Sequence, residues 1–344
     1  MNPGSDPSAP RLTPPLVRGP RLRNDDVTLT PQPSPGHATL EFDFPGVEIG
    51  TAEYAEGPTG VTVIHVPAGA RMTIDERGGA VGLMSADRRF THAIALAGGS
   101  LYGLAAAGGV YDELLARRSG CVDWDELALV SGAIIYDFTA RDTAISPDAA
   151  LGRAALQWAV PGRFPVGRCG AGRTASVGKA DHARCEFAGQ GAAFRRVGEV
   201  VMLAAVVVNA LGVVVERSGR VVRGNYDRAT GKRRPLIDDY QAAFAATATA
   251  PGAPGNTTLS VVVTNVRLGD RELEQFGRQV HSSMHRAIQP FHTILDGDVL
   301  FALTTDEIEL PPTPSGLGAN ALSSAALGAV ASETMWDAVL SAVQ

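Results

Sequence analysis

The chain has 344 residues, of which 45% are hydrophobic and 19% charged, as in folded globular proteins. This length allows one large domain or two of ordinary size. The net charge of −6, without any basic cluster, argues against nucleic acid as a partner. Cys121, Cys169 and Cys185 are odd in number and lack CxxC spacing, which predicts free thiols in the reducing cytoplasm. No apolar run is typical of a signal peptide or a membrane span.

The first third of the chain predicts an irregular arm followed by a strand and a helix. Residues 1–37 are rich in Pro, Arg, Ser and Gly without periodicity, which predicts a disordered or loosely attached arm. Order is expected from about Ala38. Residues 60–66 alternate as a strand does. A Gly-rich turn at 96–103 leads into a helix of small residues that ends near 117–120, where two arginines precede Ser and Gly.

Helices and strands alternate in the remainder of the chain. The predicted strands are 134–138, 200–208, 211–216, 259–265 and 298–305. The predicted helices are 148–159, 271–288 and 319–343. Residues 243–256, rich in Ala, Thr, Pro and Gly, predict a mobile linker. Several strands are apolar throughout, so the class is α/β or α+β, with helices covering the sheets.

The most informative segment runs from Pro254 to Asn265, where a Pro/Gly-rich approach ends at Asn256-Thr257 and an alternating strand begins. Such a pattern is usually only a loop that enters a strand. A self-cleaving precursor also needs it, because a hydroxyl residue then lies at the mouth of a buried strand, directly after a flexible peptide bond. Cleavage after Asn256 would give Thr257 a free α-amino group, with a reference pKa of about 7.7–8.0, that can take the proton of its hydroxyl.

Residues 167–179 superficially resemble a phosphate-binding loop. Five residues instead of four separate Gly172 from Gly178, and Ala180 follows Lys179 where Ser or Thr is needed. Nucleotide binding is therefore not predicted. From these residues alone, Lys179 is expected to be a surface lysine.

Two further motifs have ordinary explanations. His281 and His285 have the spacing of one helix face, but Ser282 follows where the zinc motif needs Glu, so no metal site is predicted. Asp296 and Asp298 lie on either side of a glycine, which favours a simple turn. In the alternative interpretation the two acids reach one site and one of them has a raised pKa.

Several strings, in their order along the chain, resemble one protein family. They are 42–47, 170–172, 178–179, 189–196, Asn209, 223–227, 256–258, 281–286, 289–293, 296–298 and 335–339. Together they are similar to peptidase family S58, the DmpA-type self-processing aminopeptidases. The similarity is greatest to the branch of 6-aminohexanoate-oligomer endohydrolases, which act on nylon-6 oligomers. It extends from about residue 38 to the C-terminus.

The resemblance implies one catalytic domain over 38–344. Its fold would be a four-layer αββα sandwich, like that of N-terminal nucleophile hydrolases but with DmpA-type connectivity. The resemblance also implies self-cleavage of the bond between Asn256 and Thr257, into a large subunit, 1–256, and a small subunit, 257–344, that stay associated. Thr257 is then the nucleophile, and the reaction uses neither a metal nor another cofactor.

Family roles carry over to four side chains that support the nucleophile: Lys179, Asn209, Asp296 and Asp298. Asn209 is expected to donate to the oxyanion, and Tyr136 matches a tyrosine near the family's site, where it is a possible substrate or oxyanion contact. The chain departs from the aminopeptidase branch in two ways. Its nucleophile is Thr instead of Ser, and Asp296 stands where that branch tends to have Ser. Both departures favour the nylon-oligomer branch.

We therefore expect an autoprocessed amide hydrolase that cuts linear aliphatic amide oligomers internally. One alternative is an aminopeptidase or β-peptidase of the same family, acting on short peptides or amino acid amides. The other is a self-associating binding protein in which the Asn-Thr sequence is only a loop. The resemblance further implies a homo-oligomer, a dimer of dimers of cleaved chains, with an amide substrate and neither nucleic acid nor membrane as a partner.

Overall fold

The computed structural model describes residues 19–250, 252–253, 255–310 and 321–344. The α-helices in these residues are α1 (Ala105–Arg117), α2 (Ala149–Gln157), α3 (Leu236–Ala245), α4 (Asp270–Ser283) and α5 (Ala321–Ser341). The strands are β1 (Gln32–Pro33), β2 (Ala38–Glu41), β3 (Glu48–Tyr54), β4 (Thr59–Glu76), β5 (Leu83–Ser85), β6 (Phe90–Ala97), β7 (Val130–Ile134), β8 (Val160–Pro161), β9 (Arg163–Val166), β10 (Ser176–Val177), β11 (Glu186–Phe187), β12 (Gln190–Val197), β13 (Val200–Asn209), β14 (Val213–Val215), β15 (Val221–Arg223), β16 (Tyr226–Asp227), β17 (Lys232–Arg233), β18 (Thr257–Val266), β19 (Ile288–Gln289) and β20 (Val299–Ile308). None of the described helices combines the length and the apolar character needed to cross a bilayer.

The long strand β4 joins the two halves of the main sheet. Its first part pairs with β3 and β6, whereas residues 71–76 pair with β20. Pro67 and Gly69 lie between the two parts, where the register to β6 shifts, and Gly69 has a φ of +77°. A proline and a glycine interrupt regular pairing, so β4 can bend there and contribute to both layers of the fold.

Two sheet layers face each other across a hydrophobic core, and helices cover their outer faces. On β18, Leu259, Val261 and Val263 belong to the core between the layers, whereas Val262 and Val266 belong to the core beneath α4 and α5. Because β18 lies between the two cores, all of its residues are buried, including the polar side chains of Thr257, Thr258, Ser260, Thr264 and Asn265. The other layer packs in the same way against α1 and α2. The predicted four-layer αββα sandwich is confirmed.

The helices α1 and α2 cross in close contact because each has a glycine at the crossing point. A Cβ atom on Gly109 would lie 1.8 Å from the carbonyl oxygen of Ala149. A Cβ atom on Gly152 would lie 1.9 Å from the carbonyl oxygen of Ala106. Any side chain at these two positions would push the helices apart and open the core beneath them.

Several predicted elements have different bounds in the structure, among them the strand predicted at 60–66, which extends over Thr59–Glu76. The strand expected at 134–138 ends at Ile134. The helix expected to reach residue 288 ends at Ser283 and is followed by a 3-10 turn, Met284–Arg286. The linker expected at 243–256 begins only after α3, which ends at Ala245. Alanine is the strongest helix former, so an Ala-rich composition does not distinguish a helix from a linker.

The part of the predicted arm that the structure describes, residues 19–37, contacts the rest of the fold. The Asn24 side chain donates to the carbonyl oxygen of Ser146 at 2.9 Å and accepts from its N–H at 2.8 Å. Ser34 is buried, and β1 pairs with β3. Order therefore begins before Ala38. The prediction for residues 1–18 lies outside the described residues.

Candidate active site

The candidate site lies where β13 ends and β18 begins. Asn209 and Thr257 face each other in this antiparallel pair. Asn256 forms a parallel bridge with Asp296, just before β20. Because β18 lies between β13 and β20 in the sheet, residues that are distant in sequence meet at its first position. All four side chains are buried.

The Thr257 hydroxyl lies against the peptide group that precedes it. Its Oγ1 donates to the carbonyl oxygen of Asn256 at 2.5 Å. The same oxygen accepts the backbone N–H of Gly297 at 2.7 Å. The hydroxyl is therefore next to the carbonyl group that it would attack, and the Gly297 N–H is the donor that can stabilise the negative charge developing on the oxygen.

Gly297 is a member of this site that the sequence did not predict. A Cβ atom there would lie 2.8 Å from Thr257 Oγ1 and 2.7 Å from the carbonyl oxygen of Ala80, so a side chain would displace one of them. In the intact chain the Asn256 carbonyl oxygen accepts from the Gly297 N–H, whereas the Asn209 amide donates to the carbonyl oxygens of Tyr136 and Gly255. The local sequence could not have revealed this, because Asp-Gly is equally typical of an ordinary turn.

Lys179 is buried, not exposed as its local sequence suggested. Its Nζ donates to the Asn209 carbonyl oxygen at 2.9 Å, to Asn209 Oδ1 at 2.8 Å and to the Gly255 carbonyl oxygen at 3.5 Å. These three acceptors are uncharged. Burial lowers the pKa of Lys179 to about 8, although the carboxylates of Asp296 and Asp137 oppose the shift. The Lys179 ammonium group, which can lose its proton near neutral pH, thus contacts Gly255, the residue before Asn256.

Asn209 links this cation to the neighbouring backbone. Its Oδ1 also accepts the N–H of Ser176 at 3.1 Å, and its Nδ2 donates to the carbonyl oxygens of Tyr136 at 3.0 Å and Gly255 at 3.4 Å. The Tyr136 ring packs on Gly255, where a Cβ atom would lie 2.3 Å from the ring. In the intact chain Asn209 therefore orients the segment before the Asn256–Thr257 bond, and its amide donates to Gly255 instead of Asn256.

Each of the two acids is held by backbone donors. Asp298 Oδ1 accepts the N–H of Thr258 at 2.7 Å, and its Oδ2 accepts the N–H of His292 at 3.0 Å. Asp296 Oδ1 accepts the N–H of Leu211 at 3.1 Å, and its Oδ2 accepts the N–H of Thr293 at 3.2 Å. Burial raises the pKa of Asp298 to about 6. Burial, with the neighbouring charge of Asp298, also raises the pKa of Asp296.

The site chemistry is that of acyl transfer. One hydrogen-bonded cluster contains a hydroxyl, a polarised carbonyl, a buried cation and two acids with raised pKa values. These are the groups that a self-activated nucleophile requires. Within the described ranges no three His, Cys, Asp or Glu side chains are grouped as a metal ion would need. His281 bonds Asp75, and His285 is exposed.

Comparison with known proteins identifies relatives of this chain. The model of peptidase family S58 matches residues 42–344. A 6-aminohexanoate-oligomer endohydrolase from Paenarthrobacter ureafaciens is 60% identical over 336 residues, which cover 97% of this chain and 94% of that protein. A protein of Mycobacterium tuberculosis described as an uncharacterized aminopeptidase is 34% identical over 299 residues, 83% of this chain and 85% of that protein.

Among solved structures, the L-aminopeptidase D-Ala-esterase/amidase from Ochrobactrum anthropi superposes with a TM-score of 0.63 at 16% identity. The match covers 94% of this chain and 90% of that structure, which is described as a variant of the Ntn hydrolase fold. At this level of identity the likeness shows the fold alone. With the family match over most of its length, the chain belongs to peptidase family S58.

Proposed function

We propose that the chain cuts itself between Asn256 and Thr257 and that Thr257, as the new N-terminal residue, is the nucleophile of an amide hydrolase. The observation that carries this proposal is the 2.5 Å contact of Thr257 Oγ1 with the carbonyl oxygen of Asn256, which Gly297 also binds. The fragments would be 1–256 and 257–344. They would stay together, because residues 257–264 of β18 pair with residues 202–209 of β13.

In the processing step, Thr257 Oγ attacks the Asn256 carbonyl carbon, and the hydroxyl proton passes to the pair of acids beside Gly297. The carbonyl oxygen, now negatively charged, is stabilised by the Gly297 N–H and by the nearby charge of Lys179. The carbon–nitrogen bond then breaks, and the Thr257 nitrogen takes the proton from the acids. Water hydrolyses the resulting ester, which releases the Asn256 carboxylate and the Thr257 hydroxyl.

In turnover, the free α-amino group of Thr257 replaces the acids as the base. It takes the hydroxyl proton while Oγ attacks a substrate amide, and it returns that proton to the leaving amine. The acyl group then sits on Thr257 as an ester until water removes it. When Gly255 and Asn256 withdraw after cleavage, the Asn209 amide and the Gly297 N–H lose these partners and become free to bind the substrate's oxyanion.

The proposed substrates are linear aliphatic amide oligomers such as 6-aminohexanoate oligomers, cut internally. The proposal is supported by the relative that is 60% identical, which is a 6-aminohexanoate-oligomer endohydrolase. The surface beside Tyr136 supports it too. The rings of Tyr136, Phe138 and Tyr102 follow one another at 5.5 and 6.5 Å, and Tyr102 and Leu101 are 74% and 64% exposed. An apolar, aromatic surface suits a substrate that has methylene groups but no side chains.

A linear 6-aminohexanoate oligomer with an acylated amino end tests this substrate proposal. We expect internal cleavage, because no free amine is needed, with products of intermediate length appearing first. The mycobacterial relative described as an aminopeptidase favours the alternative, in which only free amino ends are used. Loss of activity on the acylated oligomer, with fast release from amino acid amides, would replace our proposal by that alternative.

The rate of self-cleavage should depend on pH as a bell-shaped curve. Asp298, with its pKa raised to about 6, is charged only above that value, so the rate should rise as pH increases through 6. Lys179, with its pKa lowered to about 8, loses its proton above that value, so the rate should fall there. Newly synthesised precursor, transferred to a series of buffers and analysed by denaturing electrophoresis, measures both limbs. A rate that increases steadily beyond pH 8 would mean that Lys179 is not needed as a cation.

We further propose that the cleaved chains assemble as a homo-oligomer, a dimer of dimers, in the cytoplasm. The reducing compartment is supported by three cysteines without disulfides, of which Cys169 and Cys185 are buried. Burial raises the pKa of both thiols, which keeps them protonated and unreactive. Light scattering of the native protein measures the oligomeric state directly.

A further inference from the structure

Three histidines, His281, His285 and His292, form a cluster behind Asp298, and the mechanism above does not use them. The ring of His292 lies 4.3 Å from that of His281 and 4.8 Å from that of His285, between ring centres. His292 Nδ1 lies 3.1 Å from Asp298 Oδ2. Only His292 of these three therefore touches an acid of the candidate site.

The backbone at His292 is unusual. Its φ is +58°, in the left-handed region that residues other than Gly seldom adopt because the Cβ atom is crowded there. In this conformation its backbone N–H and its ring Nδ1 both point at Asp298 Oδ2, at 3.0 and 3.1 Å. A strained residue at such a position points to a functional constraint.

The ring is supported from behind. His281 packs edge-on against it, and His281 Nδ1 lies 2.9 Å from Asp75 Oδ2. Among the described residues, Nε2 of His281 and Nε2 of His292 have no hydrogen-bond partner. Both Nδ1 atoms face carboxylates, so the neutral rings carry their proton on Nδ1.

The titratable and charged groups that face His292 come from three elements: Asp75 and Arg77 at the end of β4, His281 and His285 at the end of α4, and Asp296 and Asp298 before β20. Burial is the main cause that lowers the pKa of His292 to about 3 and that of His281 to about 4. Both rings are thus neutral near pH 7, where His292 can act as a hydrogen-bond donor without a charge.

We propose that His292 is a positioning residue of the active centre, which fixes the carboxylate of Asp298 and keeps it ionised through its Nδ1–H, with His281 holding the ring in place. Asp298 in turn holds the N–H of Thr258 through its other oxygen. The chain of contacts from His292 therefore ends at the residue next to the nucleophile. This inference rests on the proposed self-cleavage.

The test is the pH dependence of self-cleavage in four variants. His292→Gly removes the donor and suits a positive φ. His292→Asn retains an amide N–H donor and is tolerated in the left-handed region. His292→Asp has the size of Asn, but brings a carboxylate next to Asp298. His285→Ala, which alters an exposed ring without contact to Asp298, is the matched control.

A lost donor makes the carboxylate harder to ionise, so the Gly variant should shift the acid limb upward by about one pH unit, with about tenfold slower cleavage below it. The Asp variant should shift it at least as far. The Asn and His285→Ala variants should keep the limb near pH 6. Thermal melting checks that each variant folds. If the Gly variant does not fold, the difference between the acid limbs of the Asn and Asp variants tests the proposal instead.

A Gly variant with the unaltered acid limb would overturn the proposal, and so would equal shifts in the Asn and Asp variants. A wild-type chain that never cuts itself would refute the proposed function. That result is distinct, because it concerns the parent chain and not the difference between variants.

Discussion

Replacing Thr257 by Val should leave one uncut chain of 35.8 kDa without amide hydrolysis. Valine has nearly the shape of threonine and suits the first position of a buried strand, so the fold should persist. The hydroxyl that contacts the Asn256 carbonyl oxygen is then missing, and with it the only nucleophile that the proposal provides. Denaturing electrophoresis and hydrolysis of an aliphatic amide oligomer measure the two losses.

Thr257→Ser is the matched control for this prediction. It keeps the hydroxyl and, after cleavage, the adjacent α-amino group, so both processing and hydrolysis should continue, at a reduced rate because serine lacks the methyl group that fixes the rotamer. Appearance of the two fragments in the Val variant would show that another group cuts the chain. The assignment of Thr257 would then be wrong.

Replacing Lys179 by Met should slow self-cleavage by about 100- to 1000-fold, the usual effect of losing one group that stabilises an oxyanion. Methionine fills a similar volume but has no charge. Burying an ammonium group among neutral acceptors costs stability, and because the variant lacks this group, its melting temperature should change less between pH 8 and 10.5 than that of the parent chain. That cost is present in full below pH 8 and disappears as pH rises toward 10.5, where the unfolded chain also loses the proton.

The chain itself provides the control, because it contains only one other lysine, Lys232. Lys232 is exposed on β17. Lys232→Met should therefore be cut at the rate of the parent chain. If Lys179→Met is also cut at that rate, the buried cation has no part in processing, and the alkaline limb of the pH profile needs another source.

The layers of the fold follow from local patterns in the sequence. Residues 200–208 of β13 are apolar at every position, which predicts a strand buried on both faces, and the structure places this strand between two hydrophobic cores. The bends and ends of elements were less predictable. The strand β4 continues past Pro67 and Gly69, and α3 occupies the start of a segment with linker composition. Tertiary packing decides such cases, and local composition does not record it.

The candidate site was predictable to the extent that the family resemblance named its side chains. Lys179, Asn209, Asp296 and Asp298 do meet around Thr257. Their spacing in sequence does not indicate that they lie close together. They meet because β18 pairs in parallel with β20 and antiparallel with β13.

Two contributions escaped sequence reasoning for the same cause. The Gly297 N–H is a backbone donor, and the residue type does not indicate which backbone N–H groups face a site. The proposed role of His292 depends on its left-handed backbone conformation, which is visible only in the structure. The rarity of lysine was a usable signal. Where arginine supplies nearly all the basic side chains, a lysine inside a Gly-rich segment indicates a need for a small cation whose pKa can fall.

The mass of the denatured protein, with the N-terminal sequence of any small fragment, tests the central claim most directly. The account predicts two fragments that share the 35.8 kDa of the chain as about 27 and 9 kDa. The smaller should begin Thr-Thr-Leu-Ser. A single chain that stays intact for days in neutral buffer would contradict self-cleavage and remove the activated N-terminus on which the proposed hydrolysis depends.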